Sequence, residues 1–145
     1  MNTNRTAAVL IPALLILVGA GLAFDHRFIP MATLFNSPAF VALVYCPTVI
    51  FAVIALLKLR GGQVRSLTAF GIGLIGTGLF HQVVLAESYA NPGYMVPIGH
   101  IAAPIVSVAA YTASFLGVWA VGKVLERKKG PKEIDADGER LRENE

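Results

Sequence analysis

Between Thr6 and Gly122 the chain carries only six charged side chains: Asp25, Arg27, Lys58, Arg60, Arg65 and Glu87. They leave uncharged runs at 6–24, 28–57, 66–86 and 88–122, which are 19, 30, 21 and 35 residues long. A helix needs about 20 mainly apolar residues to cross a ~30 Å hydrocarbon layer. A water-soluble domain would carry about 25% charged residues spread through every segment. Here the figure is 14%, gathered in loops and at the C-terminal end, against 55% apolar residues. The pattern excludes an ordinary soluble domain. It predicts an all-α fold, an integral membrane bundle of four transmembrane helices.

The spans read at about 6–24, 39–57, 66–86 and 97–122, within a membrane domain over residues 1–124. Arg5 before an apolar run, with Val18-Gly19-Ala20 further on, also resembles a secretory signal. The run is long for such a signal and has one basic residue before it, so a retained helix is expected. Asp25-His26-Arg27, Pro30 and Asn36-Ser37-Pro38 mark the first loop, and Asn91-Pro92-Gly93 the third. Pro47 and Pro104 fall inside spans, where a missing N–H predicts a bend. Lys58, Arg60 and Arg65 surround the second loop, and Lys123, Arg127, Lys128, Lys129 and Lys132 follow the last span. The other two loops hold only Arg27, so the positive-inside rule places both termini in the cytoplasm. Residues 125–145 form a polar tail that lacks the apolar surface to offset chain entropy, and disorder is expected there. Cys46 has no second cysteine to pair with and is expected to pack as a small hydrophobe.

Gly71-Ile72-Gly73-Leu74-Ile75-Gly76 fits the dinucleotide pattern G-x-G-x-x-G. That motif requires a preceding strand and a helix N-terminus, and this one lies inside an apolar span. Gly73, Gly76 and the adjoining Thr77 are better read as a surface for close helix packing. In the fourth span His100, Ala103, Ser107, Ala110, Ser114 and Gly117 recur at steps of 3, 4, 3, 4 and 3. This is a small-residue seam at the period expected between packed helices.

The unusual polar groups collect at the side opposite the basic turn. Asp25 and His26 close the first span, His81, Gln82 and Glu87 lie late in the third, and His100 opens the fourth. A histidine at the depth of His81 faces protein or a wet cavity rather than lipid. Three imidazoles and two carboxylates in one layer have the chemistry to bind a metal or haem, or to move protons. No H-x-x-x-H or E-x-x-H spacing is present, so no metal site or cofactor is assigned. His81 and His100 are the candidate catalytic residues, with Asp25, His26, Gln82 and Glu87 as the surrounding outer-side polar cluster.

Four spans in about 120 residues, a proline-containing outer loop, the basic entry Arg65-Ser66-Leu67-Thr68-Ala69 and the late His81 are together similar to the DoxX-like group of small four-helix membrane proteins. The resemblance implies work near membrane redox chemistry or a lipophilic substrate, and carries over no catalytic residue. Two functional readings stay open. One is an accessory subunit of a membrane complex. The other is a small membrane enzyme acting on a lipophilic substrate through His81 and His100. The expected partners are the lipid bilayer and either a membrane protein or a lipophilic small molecule; nothing points to nucleic acid.

Overall fold

A computed structural model describes residues 3–25, 38–90 and 96–129. Among these residues the chain is all-α, with helices α1 (Thr3–Ala23), α2 (Pro38–Arg60), α3 (Arg65–Ala90) and α4 (Val96–Lys129). Each of the four is long and apolar enough to cross a membrane. The loop around His26, the loop at Asn91-Pro92-Gly93 and the tail from Gly130 onward lie outside the described residues.

The helices outrun the apolar runs that announced them, because backbone hydrogen bonding continues where hydrophobicity stops. The largest difference is at α4, expected to close at Gly122 and helical through Lys129. Lys, Leu, Glu and Arg over residues 123–129 are strong helix formers, and Glu126 Oε1 is held 2.8 Å from Arg65 Nη1. Residues 125–129, assigned to the polar tail by composition, therefore belong to the helix.

α3 is the central helix. It buries 56% of its apolar window, against 17%, 22% and 17% for α1, α2 and α4. Glycine on two faces explains how α3 comes so close to its neighbours. A Cβ placed on Gly71 would lie 2.7 Å from the Leu15 Cβ, and one on Gly78 would lie 2.5 Å from the Leu22 Cβ. In return, a Cβ on Gly19 would lie 2.9 Å from the Ile75 backbone nitrogen. Partner numbers rise together along this interface, so α1 and α3 run parallel. The second face seats Gly73 against the Tyr111 ring and Gly76 3.4 Å from the Ala110 Cβ, while Arg65 covers Gly122. Here the numbers run in opposite senses, so α4 is antiparallel to α3. α2 packs more lightly, against α3 and α4.

The buried line on α4 differs from the seam read in the sequence. Ala103 and Ser107 are buried and Ala110 faces Gly76, but a Cβ on Gly117 would meet nothing within 4 Å. Gly117 is thus not a helix-packing residue within this bundle. Steps of four take the core-facing line from Ser107 to Tyr111, which is fully buried. A line with that step turns away from a 3.5-residue seam along the helix. Ser114 is left half-buried, its hydroxyl donating to the Ala110 carbonyl at 2.7 Å. Cys46, expected to pack as a small hydrophobe, is exposed on the bundle surface. α2 turns Val44, Thr48 and Ala55 inward, and Cys46 lies off that stripe.

Outward-facing hydrocarbon is abundant: Leu10, Leu14, Leu17, Val53, Leu57, Ile105 and Leu116 are all exposed. Scattered exposed hydrophobes are ordinary on a soluble protein, but contiguous apolar surface on this scale is not. α2 carries Lys58 and Arg60 in its last turn, complementing the helix dipole. It then stops in a Schellman turn: Gln63 N–H donates to the Lys58 carbonyl at 3.1 Å and Gly62 N–H to the Leu59 carbonyl at 2.8 Å. Gly62 takes the left-handed position that this turn requires, at φ 80°.

The glycine contacts make a direct prediction. Alanine in a helix is favoured over glycine by about 1 kcal/mol, whereas forcing an atom into a filled interface costs about 1–3 kcal/mol. Gly78→Ala should therefore lower the thermal unfolding midpoint in detergent. Gly21→Ala, where nothing lies within 4 Å, should hold or raise it. Equal midpoints for the two variants would contradict the close approach of α1 and α3.

Candidate functional site

The end of α1 poses a chemical problem that α3 solves. The last four carbonyls of any helix lack an intrahelical donor, and α1 has no basic residue in its last turn. The Phe24 N–H reaches the Ala20 carbonyl at 2.9 Å. For the last two carbonyls, those of Leu22 and Ala23, the donors come from α3. Gln82 Nε2 donates to the Leu22 carbonyl at 3.1 Å, and His81 Nδ1 lies 3.2 Å from the Ala23 carbonyl. A carbonyl only accepts, so this contact calls for the tautomer protonated at Nδ1. Two neighbouring side chains on α3 thus cap two neighbouring carbonyls on α1.

His81 is 1% exposed. The Tyr45 ring meets it edge-on at 6.1 Å and 89°, and the Phe80 ring lies 6.4 Å away at 56°. Tyr45 in turn stacks on Phe24, with centroids 4.8 Å apart and planes at 16°. Tyr45 from α2 and Phe80 from α3 flank the imidazole, and Phe24, just beyond α1, backs Tyr45. Depth put His81 against protein or a wet cavity, and it is buried against protein.

A second polar tie lies deeper in the bundle. Tyr111 of α4 donates its hydroxyl to Thr48 Oγ1 of α2 at 3.1 Å. Its ring is layered between Phe51 at 4.9 Å and Phe70 at 5.5 Å, with interplanar angles of 17° and 8°. Thr77 and Ser107 are fully buried, and the Ser107 hydroxyl donates back to the Ala103 carbonyl at 2.7 Å. The sequence reading passed over Tyr45, Thr48 and Tyr111. A signal was present: a tyrosine deep in an uncharged run must find a partner for its hydroxyl.

The structure describes only some of the other predicted site residues. Asp25 is half-buried just beyond α1, and Glu87 is exposed near the end of α3. His26 lies outside the described residues. His100 is in the first turns of α4, but its side chain is likewise outside what the structure describes. Among the described residues, no three His, Cys, Asp or Glu side chains gather in a way that could hold a metal ion. No family model, curated protein or solved structure matches the chain.

Removing the imidazole should unsatisfy the Ala23 carbonyl and leave a void among aromatic rings. His81→Ala is expected to destabilise the fold by about 2–4 kcal/mol. Gln82→Ala and Tyr111→Phe, each deleting one hydrogen bond, should cost about 1 kcal/mol. Unfolding of the detergent-solubilised variants measures all three. An unchanged midpoint for His81→Ala would show that the cap is dispensable.

Proposed function

We propose that the chain is a multi-pass membrane protein that serves as a small accessory subunit of a larger membrane complex, with both termini in the cytoplasm. The observation that carries this reading is the use made of His81. It is buried at 1% exposure and committed to the end of α1. Its chemistry is spent on holding two helices together. An enzyme acting on a lipophilic substrate through His81 would need that ring to be reached, and its burial beside Tyr45 and Phe80 argues against it. Any redox or lipid-handling setting suggested by the likeness to DoxX-like proteins would then belong to the complex rather than to this chain alone.

Membrane insertion is supported by four sufficiently long apolar helices and by the exposed hydrocarbon along α1, α2 and α4. Lipid supplies no hydrophobic force between helices, so contact there relies on close packing and hydrogen bonds. The glycine faces of α3 fit that requirement. Orientation is supported by charge. Lys58, Arg60 and Arg65 around the α2–α3 turn share one end of the bundle with the end of α4, where Arg65 meets Glu126. Cytoplasmic ends are the usual place for such a concentration.

Reporter fusions test the topology: alkaline phosphatase joined after Gly93 should be active, and fusions after Gly62 or Gly130 inactive. Purification in mild detergent tests the role. The expected result is recovery with a defined membrane-protein partner and no turnover by the isolated chain. A stable, partner-free monomer with intrinsic turnover, lost in His81→Asn at equal protein level, would overturn it.

A further inference from the structure

The basic end of the bundle holds an open cleft, in contrast to the enclosed His81. The cleft, of about 640 Å³, is bounded by Ala8 of α1, Lys58 of α2, the α2–α3 turn and the last turns of α4. That volume falls within the ~300–1,000 Å³ range of small-molecule sites. Its rim and its floor differ in chemistry. The charged rim is Lys58, Arg65, Lys123 and Glu126. Glu126 is engaged by Arg65 at 2.8 Å, leaving Lys58 and Lys123 as the surplus positive charge. The floor is apolar, formed by Ala69, Phe115, Val118 and Trp119. Lys123 Nζ stands 4.2 Å over the Trp119 ring, so the cation is held where floor and rim meet.

We infer that this cleft binds an anionic phospholipid, its phosphate between Lys58 and Lys123 and the start of its acyl chains along Trp119 and Phe115. The inference rests on the proposed membrane location of the bundle, since only then does the cleft open at headgroup level. Three features favour a lipid over a soluble anion. The site pairs cations with an apolar surface that a free phosphate would leave unused. One of its two aromatic residues is a tryptophan, whose amphipathic ring favours the membrane–water boundary. Finally, Lys58 in the last turn of its helix and Lys123 within two turns of the end of α4 lie on the side where basic residues meet anionic headgroups. A zwitterionic lipid would add its own cation beside Lys58 and Lys123, so the site should discriminate by headgroup charge.

Trp119 is the chain's single tryptophan and lines the cleft, so its fluorescence reports occupancy. The full chain is reconstituted in phosphatidylcholine vesicles containing a minor fraction of lipid brominated on its acyl chains, as either phosphatidylglycerol or phosphatidylcholine. Brominated phosphatidylglycerol should quench Trp119 with an apparent association about fivefold or more above that of brominated phosphatidylcholine, the scale expected from one lysine at an anionic headgroup. The preference should fall in Lys58→Ala, which does not alter the group beside the indole, and vanish in Lys58→Ala/Lys123→Ala. Lys58→Arg/Lys123→Arg should retain it. Equal quenching by the two lipids in the unmodified chain, or an unchanged preference in the double alanine variant, overturns the inference. Loss of the preference on adding millimolar inorganic phosphate also overturns it and assigns the cleft to a soluble anion. Failure of the chain to float with the vesicles would instead refute the membrane reading itself. Flotation without headgroup preference refutes the lipid site alone.

Discussion

Everything in this bundle depends on how closely the α3 backbone approaches its neighbours. Gly71 and Gly78 admit α1 on one face, with Gly19 reciprocating, and Gly73 admits the Tyr111 ring of α4 on another. Short polar contacts become available only at that separation. His81 reaches the Ala23 carbonyl at 3.2 Å and Gln82 reaches Leu22 at 3.1 Å because glycine on α3 lets α1 lie close against it. A bulkier residue at Gly78 would hold the end of α1 away from both donors. The glycines therefore act through the hydrogen bonds they permit as much as through the contacts they make.

α2 is attached by different means. It has no glycine, and its contacts with α3 and α4 are lighter. Aromatic layers take the place of close backbone approach: Tyr45 joins Phe24 and His81, and Phe51 stacks on Tyr111. The Tyr111–Thr48 hydrogen bond adds direction to contacts that are otherwise tolerant of sliding. Ser66 fixes the turn between α2 and α3, its hydroxyl lying 2.7 Å from the Gln63 carbonyl and 3.0 Å from that of Ala55. Such bonds matter more where no water competes for the groups involved.

The two ends of the bundle use their polar residues differently. Histidines and carboxylates made the end away from the basic turn the expected seat of chemistry. There His81 is enclosed and used as a cap. The basic residues, which on composition alone serve orientation, instead rim an open cleft with an apolar floor. A protein that spends its buried polar groups on internal ties presents its remaining specificity at its surface. This suits a subunit whose interactions are with lipids and neighbouring helices.

Helix number and type were legible in the sequence, because charge is too costly to hide in long apolar runs and the six charged residues fall between the helices or in their end turns. The rejection of a nucleotide site at Gly71–Gly76 was legible for the same reason, since an apolar run has no strand before it. Helix ends were less so: apolar composition stops at Gly122, whereas helical hydrogen bonding continues to Lys129. Tertiary structure alone decided which faces met. The seam from Ala103 to Gly117 is equally small throughout. Only its first part meets α3, because the buried line follows steps of four to Tyr111 while the seam advances by three and a half. Likewise, sequence placed His81 away from lipid, against protein or a wet cavity. That its partner is the unsatisfied end of α1, fifty-eight residues earlier, followed from two parallel helices brought into register by glycine.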